Sequence, residues 1–160
     1  MPDEFVKGSS RFGPEIEAAV DRLLAEVGAS TWAGGQRCTL DLLLRRRLDL
    51  AEHVEDGYSS TGPELTNDVW CRQVLAAIWS RLPVQVQDAN SLELGRADAR
   101  FIAATIPWPG HEGEIEWWQW RIPRSLCALA DGGFEESGWP LGWGMMPFPK
   151  PAEVEVTFWG

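Results

Sequence analysis

Through the first half of the chain, apolar residues recur at helical spacing. Ile16, Val20, Leu23 and Val27 form one stripe. Pro14 suits a first turn and Gly28 an end, so a helix is predicted over about 14–27. Leu40, Leu43, Leu44, Leu48, Ala51 and Val54 form a second stripe, with Thr39 as its N-cap, Asp41 complementing the dipole and Gly57 as its stop. After a Gly/Ser/Pro loop over 57–66, Val69, Trp70, Val74, Leu75, Ala77, Ile78 and Leu82 predict a third helix from about Asn67 to Leu82, ended by Pro83. Residues 1–13 read as a loosely ordered lead-in.

Beyond Pro83 the period changes. Val84 and Val86 suggest a short strand, and residues 88–91 carry turn chemistry. Phe101, Ile102, Thr105 and Ile106 suggest a strand over 98–106, and residues 107–113 a turn. With a second strand over 114–122 these would make a long hairpin. Residues 124–130 suggest one or two helical turns. The stretch 137–152, with four prolines and three glycines, should be an ordered irregular loop. Residues 154–159 then alternate cleanly as a closing strand, Val154, Val156 and Phe158 on one face. The expected fold is α+β in one domain spanning 1–160. Three N-terminal helices precede a small antiparallel sheet of three to four strands, with a long Trp/Gly/Pro-rich loop.

Composition adds an aromatic asymmetry. Seven of ten tryptophans lie from Trp108 to Trp159. Burying one tryptophan is worth roughly 5 kcal/mol gross, so Trp117, Trp118 and Trp120 are expected to fill a core. Trp108, Trp139 and Trp143 fall in predicted turns and loops. There, an aromatic side chain must either fold back or remain exposed.

The formal charge is −10, shared evenly between the two halves of the chain. No basic arm is present, which argues against nucleic acid and anionic membrane as partners. A basic protein is the natural complement, although solubility alone also accounts for such a charge. Cys38, Cys71 and Cys127 are widely spaced and odd in number, which favours reduced thiols and a cytoplasmic location. Residues 1–13 have no apolar core of a signal peptide.

Candidate chemistry is sparse. His111 and Glu114 alone lack the three or four ligands of a zinc site, and His53 lies on a charged helix face. Arg45-Arg46-Arg47 reads as an ion-paired face, with Asp49 four residues after Arg45. Cys38, just before a helix N-terminus, is the best nucleophile candidate. His53, however, would lie on the order of 20 Å along the same helix, and His111 is unconstrained by the sequence. Phosphate-binding and nucleophile-elbow motifs are missing.

No catalytic, cofactor-binding or metal-ligating residue is assigned. The expected function is that of a non-enzymatic protein-binding domain with an acidic, tryptophan-bearing surface, as in immunity proteins and antitoxins that neutralise basic toxins. Its interaction residues would be Trp108, Glu112, Glu114 and Glu116 at the hairpin, with Trp139 and Trp143 in the loop. The alternatives are a small-molecule-binding domain with an aromatic pocket beneath the 137–152 loop and a thiol-dependent enzyme using Cys38. Oligomeric state is open on the sequence.

Overall fold

Four helices come first, then four short strands: α1 (Pro14–Glu26), α2 (Leu40–Asp56), α3 (Gly62–Trp79), α4 (Val84–Ala103), β1 (Thr105–Pro107), β2 (Arg121–Pro123), β3 (Ser125–Leu129) and β4 (Glu155–Trp159). The computed structural model describes residues 12–31, 35–129 and 132–159. Most of the lead-in expected over 1–13, and the side chain of Trp159, lie outside the described residues. The α+β class stands, and α1 and α2 follow the predicted spans. Among the described residues, no helix is long and apolar enough to cross a membrane.

The third helix starts earlier than its apolar stripe, at Gly62 inside the expected loop. Pro63 has the fixed φ that suits a first turn, and Thr61 Oγ1 accepts the Glu64 N–H at 3.3 Å. These polar signals lie upstream of the hydrophobic ones.

The larger correction is α4, which replaces the strand expected at Val84–Val86, the turn at 88–91 and most of the strand over 98–106. Its buried positions, Val86, Asn90, Leu94, Ala97 and Phe101, keep helical spacing. Asn90 looked like a turn residue, yet it is buried in that stripe because its Nδ2 donates to Val86 O at 2.8 Å. At the far end, Arg121 Nη2 donates to Ile102 O at 3.2 Å and Arg124 Nε to Ala103 O at 3.1 Å. Two cations thus satisfy carbonyls that the last turn leaves open.

The strands form two separate pairs rather than one antiparallel sheet. β1 and β2 are antiparallel, Ile106 opposite Ile122. β3 and β4 are parallel, Leu126 opposite Val156, and β3 occupies the place expected for helical turns. Its other side meets Tyr58 in an isolated bridge: Tyr58 N–H donates to Ser125 O, and Cys127 N–H to Tyr58 O, each at 2.9 Å. Of the strand expected over 114–122, only Arg121 and Ile122 are extended, and Trp117–Gln119 is a single 3-10 turn.

The chain divides into two compact units. One comprises the described residues up to Asp49 with Trp70–Ala97, around Leu24, Leu40, Leu43, Leu44, Leu75 and Ile78. The other comprises Leu50–Val69 with the described residues from Asp98 onward, around Tyr58, Phe101, Ile122, Leu126, Trp139 and Trp143. Within this second unit, Gly142 meets the start of α3. Its carbonyl accepts the Gly62 N–H at 2.9 Å, its φ is +94°, and a Cβ there would lie 2.9 Å from Thr61 Cγ2.

Candidate functional site

Among the described residues of the second unit, the most exposed large apolar side chain is Ile115, at 91%. It sits in the turn-rich segment between β1 and β2, flanked by Glu112, Glu114 and Glu116, all exposed. The segment is closed at its base. Trp108 N–H donates to Trp120 O at 2.8 Å, continuing the β1–β2 pairing. Gly110 and Gly113, at φ of +85° and +83°, supply left-handed turns that other residues rarely adopt. His111 N–H then donates to Trp108 O at 3.0 Å, and Gln119 N–H to Glu116 O at 3.1 Å.

An aromatic base supports these turns. The His111 ring stacks on Trp120 with centroids 4.2 Å apart and planes 13° apart. Trp108 meets His111, Trp120 and Phe148 edge to face, at 6.0, 5.2 and 5.2 Å. His111 Nδ1 lies 3.3 Å from Glu114 Oε1, and Gln119 Nε2 donates to Glu116 Oε2 at 2.7 Å. Two of the three carboxylates are therefore held in place, and Glu112 beside them is exposed. The half-buried Trp108 has a buried Nε1 without a hydrogen-bond partner among the described residues.

Sequence-selected residues thus separate into two groups. Trp108, Glu112, Glu114 and Glu116 share this one segment. Trp139 and Trp143, at 0% and 2% exposure, are inside the second unit. They stack on each other with centroids 5.8 Å apart. Trp139 Nε1 donates to Phe148 O at 2.8 Å and Trp143 Nε1 to Ser60 O at 3.2 Å. Both are folded back and hydrogen-bonded, as the polar tip of a buried indole requires, and so present no surface. Trp118 is buried, and Trp117 is half-buried against Phe101.

Ile115 falls inside the strand expected over 114–122, which drew attention to its carboxylates and tryptophans. The structure extends only Arg121 and Ile122 of that span and leaves Ile115 in a turn.

Cys38 is 1% exposed, and burial pushes its thiol up to about 11, the reverse of what a thiolate nucleophile needs. His53 Nε2 accepts the Ser59 N–H at 3.1 Å and lies 2.9 Å from Ser59 Oγ. Because a backbone N–H can only donate, the neutral ring carries its proton on Nδ1. The ring also lies against Tyr58, 4.6 Å between centroids, and closes the turn between α2 and α3. Among the described residues, no group of three or more His, Cys, Asp and Glu side chains is placed to hold a metal ion. Compared with protein-family models, curated proteins and solved structures, the chain shows no match.

Proposed function

We propose that this protein is a binding domain that takes a basic protein partner on the Trp108–Trp120 segment. The observation that carries this reading is Ile115, almost fully exposed and flanked along the chain by three exposed carboxylates on a clamped series of turns. Ile115 is the apolar anchor. Glu112, Glu114 and Glu116 steer a cationic surface and fix its orientation, and Trp108, His111 and Trp120 hold the turns in shape before binding. The immobilised turns lower the ordering cost of association, which favours a preformed recognition surface over a flexible acidic loop. A small acidic protein that masks a basic toxin fits this reading.

Quantitative pull-down with the native chain, Ile115→Ser and the triple variant Glu112→Lys/Glu114→Lys/Glu116→Lys tests it. A basic protein should be retained by the native chain and lost from both variants. Equal retention by all three baits would sink the proposal.

A second reading, a small ligand held by the aromatic cluster, is favoured by the buried and unpartnered Trp108 Nε1. It predicts concerted tryptophan quenching by a carbonyl-bearing ligand, diminished in Trp108→Phe. A ligand panel that leaves the emission unchanged would remove it.

A further inference from the structure

We infer that the outer edge of β4 is a docking site for an extended segment of a partner protein, one that alternates apolar residues with Lys or Arg. The inference stands on backbone groups and does not depend on the carboxylates around Ile115. The Glu155 N–H donates to Arg124 O at 2.8 Å, and the parallel register places Ser125 opposite Glu155. In a parallel ladder, alternate residues bond to the same neighbour. Glu155, Thr157 and Trp159 therefore turn their backbone groups towards β3, while Val156 and Phe158 turn theirs away. Among the described residues, no strand or bridge covers that outer edge.

Open edges are normally blunted by a proline, a charged side chain or a bulge. The five residues of β4, Glu-Val-Thr-Phe-Trp, include no proline and a single charge, at Glu155 where the strand begins, and their pairing with β3 runs without a bulge. Beside the edge lies an apolar ledge. The Phe158 ring is 46% exposed and meets Phe134, itself 55% exposed, edge to face at 5.6 Å. An added strand would lay every second side chain on the Val156–Phe158 face against this ledge.

Charge chooses the occupant. Glu153 and Glu155 are exposed at the start of the strand. The nearby Lys150 has its Nζ directed at the carbonyls of Pro151 and Val154, at 3.1 and 2.7 Å. A second copy of this chain would bring another −10 and its own Glu155 to the edge. A strand with Lys or Arg on its other face pairs with Glu155 instead.

The test uses the full chain and three short synthetic peptides. One alternates Val with Lys. One has the same composition but keeps its lysines in a block. One is the alternating peptide N-methylated at every second residue. The alternating peptide should bind and slow amide hydrogen exchange at Val156 and Phe158. N-methylation should weaken binding at least about tenfold, since it removes ladder hydrogen bonds and leaves charge unchanged. Val156→Pro should do the same in a chain that still folds, because the Val156 N–H faces outwards and no β3–β4 ladder bond is lost. If that variant does not fold, the N-methylated peptide on the native chain decides.

Equal binding of all three peptides would overturn the inference, as would a dimer paired through β4 in sedimentation. Peptide binding that is lost with Glu112→Lys/Glu114→Lys/Glu116→Lys and kept with Val156→Pro would also overturn it, while leaving the proposed function standing.

Discussion

Cys38 and Tyr58 make the fold sensitive to alkali. Burial raises both groups, Cys38 to about 11, and for Tyr58 the hydrogen bond its hydroxyl donates to Asp68 Oδ2 at 2.6 Å adds to the effect. An acid whose folded-state pKa is raised contributes stability that is complete below its unfolded value and is lost as pH rises through the folded one. For Cys38 the window opens at about pH 8.5, where the unfolded thiol ionises, and the loss is at most roughly 3 kcal/mol. For Tyr58 it opens near about pH 10. Urea midpoints measured against pH should fall from the lower value upwards in the native chain. In Cys38→Ala the fall between the lower and the higher value should be smaller. Identical pH curves would refute this account.

Gly142 is a second residue-scale determinant. A side chain there meets both a left-handed φ and Thr61, so Gly142→Ala should cost about 2 kcal/mol or more in denaturant unfolding. A cost below about 0.5 kcal/mol would count against it. The sequence marked Cys38 correctly as the residue just before a helix, where Thr39 Oγ1 accepts the Leu42 N–H at 3.1 Å. The helix dipole by itself would favour the thiolate. Desolvation, which depends on residues distant in the chain, reverses that sign.

At the level of elements, α1 and α2 were legible because each carries a full apolar stripe and its own end signals. α4 was not, because polar Asn90 interrupts the stripe between Val86 and Leu94. Short-range alternation at Val84 and Val86 then imitated a strand. What holds the far end of α4 also comes from elsewhere in the chain. Arg121 donates to Thr105 Oγ1 at 2.7 Å, to Thr105 O at 3.1 Å and to Ile102 O. Burial, and secondarily Arg124, lower its pKa, a sign that this cation sits among neutral acceptors. Arg121→Ala should therefore cost about 1–3 kcal/mol, the penalty for leaving buried acceptors unpaired. Arg124→Ala, at the exposed end, should cost less. Equal effects in chemical denaturation would mean that exposure, and not acceptor burial, sets the scale.

For the whole molecule, charge bears on the proposed association more than on folding. Each Glu→Lys reversal adds two charges, so the triple variant at Glu112, Glu114 and Glu116 moves the formal charge from −10 to −4. All three side chains are exposed, so the melting temperature should stay within about 2 °C, the range expected for surface substitutions. The association rate with the basic protein retained in the pull-down should fall, and its salt dependence should flatten. A rate insensitive to both salt and reversal would remove electrostatic steering from the mechanism.

The sequence alone determined the α+β class, the first two helices, the closing strand and the grouping of Trp108 with the three glutamates. Each of these is set by neighbours within a turn, a strand or a short segment. Tertiary structure alone decided that Trp139 and Trp143 are buried, that Ile115 is exposed, that β3 runs parallel to β4, and that no described strand pairs with the outer edge of β4. Those outcomes depend on which distant residues supply hydrogen bonds and exclude water, such as Ser60 for Trp143 and Arg124 for Glu155, and no local pattern of hydrophobic and polar positions encodes them.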